Sequence, residues 1–555
     1  MDSSRKSVLP AACFDLRWIA AGLVMLLVGT LAWGLFGPEP PIRVARETTY
    51  LTAPLAAHGL PYYEAALLAG YGPAPPPEDN AAVLLLQTCW PLGIDGWNLP
   101  AVCKALGIAD PPPADPLRLD LAKDAAAGID AAMLDTAGEW PWTTKEVPAV
   151  AAWLAKHETQ IDRLVAAADR PCYWLPSPSL LNGLPEYLVA SLLPDLPGLR
   201  GVARVLGYRA RWHIAENRPA AAWRDIVAIR RLARLLAPPG RGPQFLATHS
   251  VAMALDATAD SATRQLLAIP DLSAEVLATI RRDLEELGPP VCLADGLAGE
   301  RIMGIDAATA LARHAFVNRR DAMQWIASSG SGPRGSGGPD IALLMSLDWN
   351  LVLERWNLFY DDVEAAWRLP TYQARIAAVE AQERAIKALV PASGRSAWVQ
   401  AGDVLMQACS RGHRSDRVAD WLLVTLDPVF SGAVKAATHG DAQLALTKTA
   451  AALAAWRADR GPDAPPYPER LDDLVPKYLA AVPVDPFTDK ALIYERRGDG
   501  YLLASVGENG VYDGGDDIDG WIVRGEWQEQ EQKVNYPAVD LVVRMPIPPR
   551  PAAKP

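Results

Sequence analysis

The chain has 555 residues, which exceeds the size at which one hydrophobic core usually suffices, so we expect two or more domains. Half of the residues are hydrophobic and 21% are charged, a composition that excludes a wholly disordered protein. The net charge of -12, with no clustered basic face, argues against a nucleic-acid-binding protein.

Residues 18–36 carry no charged side chain and would span about 28 Å as a helix, close to the thickness of a bilayer's hydrocarbon core. This pattern predicts a cytoplasmic tail over 1–17, a transmembrane anchor over 18–36 and a linker over 37–56. The predicted location is the inner (cytoplasmic) membrane, crossed once, with an extracytoplasmic or periplasmic body. A cleaved signal peptide stays open as an alternative, because Ala32-Trp33-Gly34 has a small-x-small pattern.

The six cysteines form no Cys-x-x-Cys pair and no cysteine-histidine spacing suited to zinc. Cys13 precedes the apolar segment, and five cysteines follow it. An oxidising compartment would permit a disulfide such as Cys89 to Cys103 and would leave at least one thiol unpaired.

The region 57–437 has helical periodicity and predicts an irregular, solenoid-like body of helical hairpins. The spacing of Thr143 and Glu146 resembles a capping box and predicts the start of a helix. Two amphipathic runs separated at Asn217-Arg218-Pro219 predict an antiparallel helical hairpin. The Gly/Ser-rich stretch 328–339 predicts a flexible loop.

No arrangement of the seven histidines suits a zinc hydrolase, and no Gly-x-Ser-x-Gly elbow is present. We therefore predict no catalytic residue and favour a protein that is not an enzyme. The alternative is an extracytoplasmic hydrolase that uses Glu300, Arg301 and Asp306, three charged residues in an otherwise apolar helical stretch. A structural ion pair is the competing interpretation of the same residues.

The region 438–527 changes character and predicts a small α+β module with a short antiparallel sheet. A helical run leads into a proline-set loop, short apolar strands and a loop rich in carboxylates. Clustered carboxylates without nearby basic residues favour a hard divalent cation, most plausibly calcium. The last segment, 528–555, predicts a proline-rich extended tail.

This order of elements resembles the globular end of the type II secretion major pseudopilins (protein G-like). The resemblance depends on Asp485-Pro486-Phe487, on the turn Ser505-Val506-Gly507-Glu508-Asn509-Gly510 and on the acidic residues that follow. It implies one structural calcium ion, held by four matching residues. One of them is Asn509, where the family usually has aspartate. Two further carboxylates are able to compensate for this substitution. The four are Val506, Asn509, Asp517 and Asp519, and the two are Asp513 and Asp516.

The chain has Asn80-Ala-Ala-Val near its start, Arg230-Arg231-Leu-Ala-Arg-Leu-Leu in its middle and Asp485-Pro486-Phe487 near its end. This layout resembles that of large exported proteins of planctomycete-type bacteria, a resemblance that supplies no activity. The predicted fold class is mainly α, with an N-terminal membrane helix, a multi-helix body and the pseudopilin-like module. The predicted function is that of a membrane-anchored structural or interaction protein with protein partners in the cell envelope. An accessory component of a type II secretion or pilus-like apparatus is a further alternative.

Overall fold

The computed structural model describes residues 16–94, 99–108, 116–121, 128–175, 188, 195–238, 244–288, 290–313, 345–389, 397–426, 430–460, 464–515 and 540–547. Over these residues the chain is mainly helical, with a small antiparallel sheet near the carboxyl end. The predicted loop 328–339 lies outside the described residues.

The helices are numbered in chain order. They are α1 (Leu16–Phe36), α2 (Tyr63–Gly70), α3 (Ala81–Thr88), α4 (Leu99–Leu106), α5 (Ala131–Glu139), α6 (Pro148–Lys156), α7 (Glu158–Ala168), α8 (Asp195–Ala215), α9 (Pro219–Leu236), α10 (Leu246–Leu267), α11 (Ala274–Glu286), α12 (Leu297–Ala312), α13 (Trp349–Trp367), α14 (Tyr372–Leu389), α15 (Ala397–Cys409), α16 (Arg411–Leu426) and α17 (Phe430–Ala458). The strands are β1 (Val484–Asp485), β2 (Lys490–Ala491), β3 (Ile493–Arg497), β4 (Gly500–Ser505) and β5 (Leu541–Met545).

The predicted membrane segment forms α1, whose carboxyl end is tied to the rest of the chain. The backbone N–H of Ser346 donates to the carbonyl of Leu35 at 2.7 Å, and the guanidinium of Arg414 donates to the carbonyl of Gly34. Crossing a bilayer requires about 20 predominantly apolar helical residues. No helix within the described ranges combines that length with that apolarity. The predicted transmembrane helix over 18–36, and with it the single-pass location in the inner membrane, is therefore wrong.

The predicted helical hairpin is confirmed, with α8 and α9 packed against each other and joined by a tight connection. The connection contains Asn217 in the left-handed backbone region, and Pro219 opens α9 at a position where its missing N–H costs no hydrogen bond. Helix α10 packs against both helices of the hairpin.

Helix α17 runs through both hydrophobic cores of the molecule. Its first half, including Phe430 and Val434, belongs to the same core as α12, α13, α14 and α16. Its second half, including Leu446 and Leu453, belongs to the core that also contains α3, α6 to α11 and the small sheet. Alanine, which has high helix propensity, recurs along the whole of α17 and favours one long uninterrupted helix. The two cores therefore meet along α17.

The small sheet has the strand order β3-β4-β5 and is antiparallel throughout. Its central strand, β4, is buried along its whole length, and β4 and β5 pack against α17. β5 lies in the segment predicted as an extended tail. Its pairing of Val543 with Leu503 places an apolar strand over the sheet's open edge.

The two cysteines proposed as a disulfide, Cys89 and Cys103, are both buried and are not joined by a disulfide. Each behaves as a small buried hydrophobic residue. Burial raises the pKa of the Cys89 thiol to about 12, so this thiol stays protonated at neutral pH.

Candidate functional site

A cleft of about 950 Å³ lies at the junction of the two cores, between α10 and α17. Residues 290–293 form another part of its wall, and the C-terminal module contributes Glu508 and Leu541. The volume is at the upper end of the range of roughly 300 to 1,000 Å³ that is typical of small-molecule sites. We name this space the junction cavity.

The junction cavity exists because the two helices that face each other carry short side chains there. The small residues that line it are Ala254 and Ala257 of α10 and Gly432, Ala433, Ala436, Ala437 and Gly440 of α17. A Cβ atom added at Gly440 would have no neighbouring atom within 4 Å. The position therefore faces open space although it lies within a packed helix.

The inner end of the junction cavity is lined by two arginine–aspartate pairs between α9 and α10. Arg230 donates to Asp260 at 2.6 Å, and Arg234 donates to Asp256. Thr447 of α17 also donates to Asp260, at 2.7 Å, so this end is joined to all three helices. Arg230 and Asp260 are 1% and 4% exposed, so the pair is almost wholly buried at this end.

The inner end carries two arginines and two aspartates, and burial is the largest influence on the pKa of Asp256. Burial raises the pKa of Asp256, and the neighbouring Arg234 and Arg230 oppose that rise. Among the described residues, Oδ1 of Asp256 has no hydrogen-bond partner, and neither has Nε of Arg230 or of Arg234. Buried polar atoms are usually hydrogen-bonded in folded proteins, so these three atoms are exceptions.

The outer end of the junction cavity is formed by Lys435, His439 and Glu508. Nζ of Lys435 lies 3.2 Å from Oε2 of Glu508, and Nε2 of His439 lies 3.1 Å from Oε1 of the same carboxylate. The two basic residues are one helical turn apart on α17, so they present neighbouring donors to a single carboxylate. All three side chains are about one third exposed, which places the mouth of the cavity here.

The polar lining groups near the middle and the mouth of the junction cavity have hydrogen-bond partners within the protein. The hydroxyl of Ser250, which lines the cavity, donates to Leu246 in its own helix at 2.9 Å. The imidazole of His439 is paired with Glu508, as described above. Among the residues that the structure describes, no group of three or more histidine, cysteine or acidic side chains could hold a metal ion.

The residues predicted to bind calcium are only partly described. The backbone N–H of Val506 donates to the buried carboxylate of Asp485 at 2.8 Å. Asn509 donates from Nδ2 to Asp513 at 2.8 Å, and its Oδ1 accepts from the N–H of Val511 at 2.9 Å. Asp516, Asp517 and Asp519 lie outside the described residues. Asn509 and Asp513 are thus adjacent, and calcium binding stays a prediction.

The three residues of the hydrolase hypothesis are not brought together, although all of them lie on α12. Glu300 accepts from the backbone N–H of Leu246 at 3.0 Å, at the first residue of α10. Arg301 donates to Asp361 at 2.6 Å and lies over the ring of Tyr50.

Asp306 points in a third direction and accepts from the backbone N–H of Leu188 at 2.6 Å. Burial raises its pKa well above the ordinary value for aspartate, and the nearby Glu64 raises it further. Burial likewise raises the pKa of Glu300 to about 7. The three side chains therefore have three separate sets of partners.

Sequence reasoning missed the junction cavity, although two signals of it were present. One is the four-residue spacing of Arg230 and Arg234, which places two cationic side chains on the same face of an amphipathic helix. The other is the recurrence of glycine and alanine, at five of the nine positions from 432 to 440, which is typical of a helix face that approaches a neighbour or leaves room for one.

Comparisons of the chain with protein families, with curated proteins and with solved structures find no match. The likeness of the C-terminal module to pseudopilins accordingly stays a prediction from the residues named above.

Proposed function

We propose that this chain is a binding protein whose junction cavity takes a small, largely apolar molecule between α10 and α17. The observation that carries the proposal is the cavity itself, a space of about 950 Å³ with an apolar middle and polar groups at its two ends. Small-molecule sites typically combine an apolar lining with a few polar groups that orient the ligand.

The position of the junction cavity also supports this function. The cavity is bounded by α17, which belongs to both cores, and by Glu508 and Leu541 of the C-terminal module. A ligand held there contacts both cores at once. A ligand that binds only the folded chain stabilises it, by an amount that grows with the ratio of free ligand to the dissociation constant.

Binding can be tested with a neutral apolar fluorophore, N-phenyl-1-naphthylamine, titrated into the full chain. We expect one saturable site and a raised melting temperature. The variant Gly440→Leu places a side chain in the open space beside α17 and should weaken binding at that site. It keeps the helix, because leucine has a higher helix propensity than glycine.

The matched control is Gly402→Leu, a helical glycine of α15 that also has no atom within 4 Å of an added Cβ and does not line the cavity. It should bind the fluorophore as the unmodified chain does. Binding that does not saturate, or that survives Gly440→Leu unchanged, would refute the proposed function.

A further inference from the structure

Glu508 fills the mouth of the junction cavity with a carboxylate that belongs to the C-terminal module. Lys435 and His439 each approach a different oxygen of that carboxylate, at 3.2 and 3.1 Å. Such a pair of donors can hold any carboxylate of suitable geometry. The arrangement is therefore a carboxylate-binding site that is occupied by the chain's own side chain.

The contact of Glu508 with α17 is of a kind that an incoming ligand can replace. The glutamate lies in the turn 507–510, between two glycines with positive φ, and its side chain is 29% exposed. Partly exposed ion pairs contribute little to stability. Asp485 shows the contrast, because it is 1% exposed and accepts from Phe487, Ser505 and Val506.

The inner end of the junction cavity does not offer an equivalent site. Arg230 is paired with Asp260 and Arg234 with Asp256, and separating a buried pair leaves an uncompensated charge. His439 and Thr447 are eight residues apart on α17, so the two ends are separated by about 12 Å along the helix. The space between them is lined mainly by apolar atoms.

Given the binding function proposed above, we infer that the ligand is an aliphatic monocarboxylate. Its carboxylate replaces that of Glu508 on Lys435 and His439, and its hydrocarbon chain lies in the apolar part of the junction cavity. Binding of such a ligand releases the turn 507–510 from α17. Each additional methylene that the cavity can hold should tighten binding about fourfold.

The test compares decanoate with decan-1-ol, which has the same chain length and no charge, by displacement of N-phenyl-1-naphthylamine from the full chain. Glu508→Gln removes the competing carboxylate and should tighten decanoate binding by about fivefold while decanol binding stays the same. Lys435→Met removes one donor and should weaken decanoate binding by about tenfold, again without an effect on decanol.

The matched control for Glu508→Gln is Glu383→Gln. Glu383 is also a carboxylate bound to α17, since it accepts from the backbone N–H and the hydroxyl of Ser431 at 2.7 and 2.9 Å, but it does not line the cavity. This variant should bind both ligands as the unmodified chain does. Amide hydrogen exchange at Gly510, whose N–H donates to Gly507 at 3.3 Å, should accelerate with decanoate and not with decanol.

The outcomes separate this inference from the proposed function. If decanol and decanoate both displace the fluorophore with equal affinity, and neither Glu508→Gln nor Lys435→Met changes their ratio, the carboxylate inference is overturned while the binding function stands. If the fluorophore itself has no saturable site, both the carboxylate inference and the proposed binding function are refuted. A preference for decanoate that Lys435→Met removes and that Glu383→Gln leaves intact supports the inference.

Discussion

Arg209 of α8 and Asp225 of α9 form a bidentate ion pair that joins the two helices of the hairpin. Nε of Arg209 donates to one carboxylate oxygen at 2.8 Å, and a terminal nitrogen donates to the other at 2.6 Å. The two side chains are 3% and 0% exposed. The fork of an arginine matches the two oxygens of a carboxylate, so the pair fixes the relative rotation of the two helices as well as their contact.

Replacing Asp225 by alanine should lower the free energy of unfolding by about 3 to 5 kcal/mol, because the variant leaves the guanidinium of Arg209 buried with one carboxylate fewer. Urea denaturation of the full chain, followed by circular dichroism, measures this loss.

The matched control is Asp169→Ala, which removes the carboxylate bound to Arg231, also on α9. These side chains are 55% and 38% exposed, so the loss should stay within about 1 kcal/mol. Equal losses in the two variants would contradict the role given to Asp225.

The hairpin was predictable from sequence because its information is local. Two amphipathic runs and the segment 217–219 are contained in about 40 consecutive residues, and the turn chemistry agrees with the periodicity. The helix start predicted at Thr143 shows the limit of such local signals, which identify a side-chain contact more accurately than the first residue of a helix. Thr143 and Glu146 do bond to each other, but the helix begins at Pro148 and ends before His157.

The sheet and the junction cavity were less predictable because they depend on contacts between distant residues. β5 is separated from its partner β4 by 35 residues, and the prolines that follow Met545 made its short apolar run look like part of an extended tail. Glu508 meets Lys435 across 73 positions in the chain. Neither contact leaves a periodic pattern, so no local rule finds them.

The stability of the chain should fall as the pH rises from about 4.5 to about 7, in part because of Glu300. Burial raises the pKa of this carboxyl from 4.5 to about 7, whereas in the unfolded chain it titrates near its ordinary value. The folded state therefore holds the proton over a pH range in which the unfolded state has lost it. The stabilisation is fully present below pH 4.5 and is lost as the pH rises to 7.

The variant Glu300→Gln should remove this part of the pH dependence, because glutamine keeps an oxygen that can accept from Leu246 and cannot ionise. We expect it to match the unmodified chain at pH 4 and to exceed its free energy of unfolding by up to about 3 kcal/mol at pH 8. Urea denaturation at a series of pH values measures the difference. A variant that follows the unmodified chain at every pH would show that Glu300 does not carry the effect.

The packing of α12 on α13 depends on the absence of a side chain at Gly304. A Cβ atom added there would lie 1.9 Å from the indole ring of Trp356, and that indole is itself held by a 3.1 Å hydrogen bond from Nε1 to the carbonyl of Arg301. Gly304→Ala should therefore lower the free energy of unfolding by about 1 to 3 kcal/mol.

The control for this substitution is Gly402→Ala in α15, where an added Cβ meets no atom within 4 Å. Alanine is the better helix former, so this variant should gain about 0.5 to 1 kcal/mol. Urea denaturation compares the two. A gain in stability in both variants would mean that helix propensity, and not the contact with Trp356, decides the outcome.

The calcium prediction is sharpened by the contact between Asn509 and Asp513. In the unmodified chain the amide of Asn509 donates to the Asp513 carboxylate, so the pair is satisfied without a cation. Asn509→Asp replaces this hydrogen bond by two facing carboxylates, which repel each other unless a divalent cation lies between them.

With a chelator present the variant should melt at a lower temperature than the unmodified chain. Added calcium should reverse that loss and raise the melting temperature of both proteins, the variant's by more, because a ligand that binds only the folded state stabilises it. Magnesium, which requires stricter geometry, should have the smaller effect. If each protein melts at the same temperature in calcium as in chelator, the prediction that this module binds calcium is wrong.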